Sequence, residues 1–111
     1  MQLSHNELWE RVRRLEGKTV YTKTRQIPNK VLRVTKNWVV IEDKGSVSFT
    51  SKAGIFEKYH TLIKDGYLIG KSGEDGMMKA NFYDGRYVIM PILHEALPNE
   101  TEQIKGGIRV V

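Results

Sequence analysis

The chain has 111 residues, with 18 Lys/Arg against 13 Asp/Glu, three His and no Cys. That length suits one domain with one core, and 40% hydrophobic with 28% charged residues excludes wholesale disorder. The absence of cysteine excludes a disulfide scaffold, a thiolate zinc site, an iron–sulfur cluster and a cysteine nucleophile.

The first element is marked by Ser4 and Glu7, which form a capping box. Leu8, Val12 and Leu15, with Trp9 beside them, recur at helical spacing as its buried stripe, and Gly17 ends it. Glu7–Arg11 and Glu10–Arg14 are i,i+4 pairs in the favourable orientation, so these arginines read as a solvated helix face.

From Lys18 the texture becomes β-branched and alternating. Lys18 to Thr24 reads as a strand with Val20 on one face and Thr19, Tyr21 and Lys23 on the other. Gln26 to Asn29, with Pro28-Asn29, reads as a turn. Strands follow at Lys30 to Thr35, Trp38 to Glu42 and Ser46 to Thr50, the last two joined by a hairpin turn at Asp43 to Gly45. Four short strands with tight turns make an antiparallel meander, and a strongly bent meander of this size closes toward an SH3-like barrel.

Ser51 caps a second helix over Lys52 to Asp65, with Ile55, Phe56, Tyr59, Leu62 and Ile63 on one face and Gly66 at its C-cap. Residues 67–83 are the least regular stretch. The segment from Asp84 to Leu97 has two readings: one helix capped by Asp84 and kinked at Pro91, or a strand over Arg86 to Met90 followed by a short helix opening at Pro91. Ile108 to Val111, after Gly106-Gly107, reads as a closing strand. The expected core is Val20, Leu32, Val34, Val40, Phe49, Phe56, Leu62 and Leu93.

The longest apolar run, Tyr87 to Leu93, falls far short of the ~20 residues of a membrane helix. Ser4-His5-Asn6-Glu7 lacks the basic-then-apolar order of a secretory signal. A single soluble, cytoplasmic domain over residues 1–111, with no membrane partner, is therefore expected.

Catalytic signatures are approached but not completed. Gly66-Tyr67-Leu68-Ile69-Gly70-Lys71-Ser72 is one residue short of a phosphate-binding loop, follows a helix instead of a strand, and is succeeded by Glu74 and Asp75, which repel phosphate. Glu42-Asp43-Lys44 supplies half of a nuclease-type metal site, but the upstream acids Glu7, Glu10 and Glu16 lie on the first helix. The three histidines do not converge in sequence, and Pro98 stands where a zinc-protease motif beginning at His94-Glu95 needs its second His. The expectation is a non-enzymatic protein with no catalytic residue, no metal site and no cofactor.

What remains is the distribution of charge. Residues 1–52 hold 11 Lys/Arg against five acids, whereas residues 53–111 hold seven against eight. Between Gly17 and Ile41 stand Lys18, Lys23, Arg25, Lys30, Arg33 and Lys36 without one acid. A field of one sign attracts and steers a polyanion. Tyr21 and Trp38 are interleaved with these bases, so Tyr21, Lys23, Arg25, Lys30, Arg33, Lys36 and Trp38 are the candidate nucleic-acid-binding residues. Two plainer readings stand beside this one: strand lysines also blunt sheet edges, and a tryptophan opening a strand more often packs into a core.

The succession Leu15-Glu16-Gly17-Lys18-Thr19-Val20-Tyr21-Thr22, then Val31 to Thr35, Trp38 to Ile41, the second helix and Tyr87-Val88 through Leu97-Pro98, resembles a small bacterial β-meander domain associated with restriction-type and other DNA-processing proteins. The glycine-rich, acidic stretch from Gly70 to Gly76 departs from that pattern. The resemblance implies a β-meander with helices and an accessory DNA-related role, and carries over no functional residues. The combined expectation is an α+β domain: an N-terminal helix, a four- or five-stranded bent antiparallel sheet forming an SH3-like partial barrel, and two packed helices. The expected function is a small nucleic-acid-binding module, with DNA favoured over RNA. The alternative is a protein-interaction or regulatory subunit, viral or defence-related, that docks an acidic partner; a homodimer is compatible with either.

Overall fold

Ser4 Oγ accepts the Glu7 N–H at 3.1 Å and opens α1 (His5–Arg13), whose Leu8, Trp9 and Val12 are buried. The computed structural model to which this helix belongs describes residues 2–21, 26–71, 78–82 and 88–111. Arg11 does not pair with Glu7 as expected. Its Nη1 lies 3.1 and 3.0 Å from the two carboxylate oxygens of Glu100 and 3.3 Å from the Ala96 carbonyl. Glu100 offers two acceptors in one place, so the guanidinium ties α1 to the far end of the chain instead of to its own helix. The expected Glu10–Arg14 ion pair does not form either.

β1 (Thr19–Tyr21), β2 (Pro28–Val34), β3 (Trp38–Asp43) and β4 (Ser46–Ser51) form an antiparallel sheet in chain order, the expected meander. Pro28 and Asn29 belong to β2 and not to a turn. Pro28 opens that strand opposite Tyr21, the position where a missing N–H is tolerated. Lys44 and Gly45, both at positive φ (51° and 81°), make the tight hairpin between β3 and β4. The continuation of the first strand to Thr24 lies outside the described residues.

Ser51 Oγ accepts the Gly54 N–H at 3.0 Å and opens α2 (Lys52–Asp65), which ends at the left-handed Gly66. Ile55, Tyr59 and Leu62 are buried, and Phe56 and Ile63 pack partly buried against the same core. The segment with two readings resolves into α3 (Ile89–Ala96), so Ile89 and Met90 are helical and not strand residues. Pro91 is its third residue, where the absent N–H has no intrahelical partner to lose. Asp84, Arg86 and Tyr87 lie outside the described residues. Ile89, Met90, Pro91, Ile92, Leu93 and Ala96 are all buried, because α3 is apolar apart from His94 and Glu95 and packs against α1, α2, β1 and the second sheet.

That second sheet was not expected. β5 (Tyr67–Ile69), β6 (Thr101–Ile104) and β7 (Gly107–Val110) pair antiparallel in the order β5-β7-β6. The anticipated closing strand is thus β7, and it joins this sheet instead of adding a fifth strand to the meander. The α+β architecture with an N-terminal helix and two further helices is the one expected, and neither sheet closes on itself among the described residues. The Cα radius of gyration, 13.0 Å, is that of a compact chain of this length.

Gly107 is where the second sheet is least tolerant. A Cβ there would stand 1.9 Å from the Leu68 carbonyl oxygen, which is backbone and cannot rotate away. Gly107→Ala should therefore separate β5 from β7 and cost roughly 3 kcal/mol, the upper end for overpacking. Urea unfolding of the variant checks this, and a cost below about 0.5 kcal/mol would contradict the pairing.

The first sheet turns its inner face, with Val20, Val31, Val34, Val39 and Ile41 buried, toward the helices. Of the expected core, Val20, Val34, Leu62 and Leu93 are buried and Phe56 is partly so, whereas Leu32, Val40 and Phe49 lie on the opposite face. The cause is a bulge. Pairing in β2 shifts between Val31 and Arg33, so Val31 and Val34, three apart, both face inward and Leu32 is turned out. In β4, Thr50 is opposite Val39 and Ser48 opposite Ile41, which leaves Phe49 outward beside Val40.

Candidate nucleic-acid interface

The outer face of the meander is set by the register. Thr19, Lys30, Glu42 and Val47 align across the four strands; Arg33, Val40 and Phe49 align across three, with Leu32 at the bulge. Tyr21 and Pro28 flank the β1 side. This face carries apolar surface in place of the polar surface usual on the solvated side of an antiparallel sheet.

Trp38 is held by its backbone. Its N–H donates to Thr35 Oγ1 at 3.1 Å, and its carbonyl accepts the Thr35 N–H at 2.8 Å. The Asn37 carbonyl accepts the Lys52 N–H at 2.8 Å, joining this hairpin end to the start of α2. The indole is 47% exposed and meets Phe49, 56% exposed, edge to face with ring centroids 6.4 Å apart. An open depression of about 390 Å³ is lined by Thr35, Trp38, Val40 and Phe49. A second, of about 430 Å³, is lined by Trp38 together with Asn37, Ser51, Lys52, Ala53 and Phe56.

Of the seven sequence candidates, Tyr21, Lys30, Arg33 and Trp38 share this outer face, and Lys36 stands exposed at the β2–β3 hairpin end. Lys23 and Arg25 lie outside the described residues. Lys30, Arg33 and Lys36 form no ion pair with any described residue, although Glu42 stands opposite Lys30. Sequence reasoning missed Phe49, Val40 and Leu32, all assigned to the core. The unbroken apolar run Trp38-Val39-Val40-Ile41 carried the signal, since four consecutive apolar residues in one strand must place two on each face.

The near-motifs resolve into structure. Gly66 N–H donates to the Leu62 carbonyl, Ile69 N–H to Asn81 Oδ1 and Gly70 N–H to the Gly106 carbonyl, so these amides are not free to wrap a phosphate. Glu42 and Asp43 are strand neighbours and point to opposite faces of the sheet, which separates the two carboxylates. Among the described residues no group of three or more His, Asp or Glu converges to hold a metal, and no helix is long and apolar enough to cross a membrane. Two histidines do meet: His5 Nε2 and His60 Nε2 are 2.9 Å apart, an N–H···N bond that needs at least one neutral ring. This pair pins the start of α1 to α2, with His5 stacked on Phe56, which also lines the second depression.

No known family, curated protein or solved structure matches the chain.

Proposed function

We propose that the outer face of the first sheet binds nucleic acid, making the protein a cytoplasmic, non-enzymatic accessory module. One observation supports the reading: Trp38 and Phe49 are exposed as a pair on the sheet face that carries Lys30 and Arg33, with Lys36 at its hairpin end, three cations that form no ion pair with any described residue. Leaving two large aromatic rings in water forgoes the stabilisation their burial would give, and the adjacent bases select a polyanion as the occupant. The resemblance to domains of DNA-processing proteins favours DNA over RNA. A salt series tests the reading. Association with mixed-sequence oligonucleotides should weaken linearly in log–log form, by about 0.7 to 0.9 per phosphate engaged. Absence of binding at low salt would overturn it.

A second reading, docking of an acidic protein, is favoured by Leu32, Val40 and Val47, which widen the apolar part of the face beyond the two aromatics. Complex formation with such a partner would depend on these aliphatic residues as much as on the bases.

A further inference from the structure

We infer that the ligand of this face is single-stranded nucleic acid, with its sugar–phosphate backbone along β2 and unpaired bases laid over β3 and β4; this rests on the nucleic-acid reading above. The argument starts from how the face is divided. Lys30 and Arg33 come from β2, whereas Trp38 and Val40 come from β3 and Phe49 from β4. Neighbouring strands lie about 4.8 Å apart, so the aromatic zone begins one strand from the cations and ends two strands away, roughly 5–10 Å. That is the offset between a phosphate and its own base. The row Arg33–Val40–Phe49, in direct cross-strand register, is one such phosphate-to-base line.

A duplex would use this surface poorly. Its bases are paired and stacked inside, so Trp38 and Phe49 would face hydrated sugars and charged phosphates, and Val40 would gain no apolar contact. An unpaired base presents a flat π-face, and a ring of any identity can stack on it. Trp38 lines two open depressions, one shared with Val40 and Phe49 and one with Lys52 and Phe56. An unpaired base can therefore stack on the exposed indole, with Lys52 in the lining of the second depression.

The protein carries its own reporter. It has two tryptophans, and Trp9 is buried at 5% exposure, so Trp9→Phe leaves Trp38 as the sole tryptophan emitter. Titration with a single-stranded oligothymidylate at low salt should quench Trp38 emission and give an affinity at least tenfold above that for a duplex of equal length. Trp38→Ala should weaken single-strand binding by about 5- to 150-fold, the range for loss of one base stack, while leaving duplex binding nearly unchanged. If Trp9→Phe fails to fold, the difference in emission between the wild-type protein and Trp38→Phe reads the same signal. Equal affinity for single strand and duplex, with Trp38 emission unmoved, would overturn the inference and leave the nucleic-acid reading standing. Absence of binding to either would remove both. Emission that changes with protein concentration alone, together with a dimer that Trp38→Ala dissociates, would assign the face to self-association and also overturn it.

Discussion

Phe82→Ala is expected to lower the unfolding free energy by ~3–5 kcal/mol, whereas Phe49→Ala should cost about 1 kcal/mol at most. Both remove the same atoms, so the contrast isolates position. Phe82 is fully buried, its N–H donates to the Ile69 carbonyl at 3.1 Å, and Lys58 Nζ lies 4.8 Å above its ring. Truncation there leaves a cavity between α2 and the second sheet, and a cavity adds to the lost transfer energy. Phe49 is more than half exposed, and its truncation gives up an edge-to-face contact with Trp38 without opening a buried cavity. A domain of this size is stable by about 5–15 kcal/mol in all, so the first change removes a large share. Urea midpoints should separate the two variants by roughly 1–4 M. Equal midpoints would mean either that Phe82 is not part of the core or that Phe49 does not lie on the solvent side of the meander.

That contrast also marks where the sequence was legible. The helix starts at Ser4 and Ser51 and the stop at Gly66 were readable because capping chemistry is local: a hydroxyl, an N–H three residues on, and a glycine free to adopt positive φ. The β3–β4 hairpin was readable for the same reason, through Gly45. Face assignment is not local. Leu32 and Val34 are spaced as residues of one face, and only the bulge opposite Val40 turns Leu32 away from Val34. Phe49 alternates with Ser48 and Thr50 as a core residue would, but its register against β3 is fixed by the hairpin turn and by the burial of Val39 and Ile41. The strands β5 and β6, three and four residues long, are too short to show a period, and β5 owes part of its definition to Asn81, whose side chain bonds both the Ile69 N–H and the Tyr67 carbonyl.

At the candidate interface the bases were readable from composition, since an acid-free run identifies itself. Their geometry was not. Arg11 looked like half of an intrahelical pair and is instead bonded to Glu100, which removes it from the pool of free cations. Trp38, opening a strand, looked like a core residue as readily as a surface one. It is exposed because the inner positions of β3 belong to Val39 and Ile41, so parity alone turns Trp38 and Val40 outward.

Reversing Lys30, Arg33 and Lys36 to Glu is expected to abolish nucleic-acid binding and to leave the fold intact. The three side chains are exposed and form no ion pair with any described residue, so their replacement breaks none of the ion pairs seen among those residues. Each cation that meets a phosphate releases a counterion, so binding that survives should show a salt slope smaller by about 2 to 3. The matched control is Lys64, Lys79 and Lys105 to Glu, three exposed lysines away from the sheet face, which changes net charge by the same amount. If attraction were a property of net charge, the two triple variants would lose affinity equally. If it belongs to the face, the control retains most of its binding and its salt slope. Glu42→Gln supplies the opposite sign. Glu42 stands opposite Lys30 on the same face, so neutralising it removes a repulsion toward phosphate and should tighten binding several-fold at low salt. Binding left unchanged by Glu42→Gln in 0.1 M salt would place the polyanion elsewhere, because only a ligand lying over β2 and β3 is close enough to sense that carboxylate through the ~10 Å screening length.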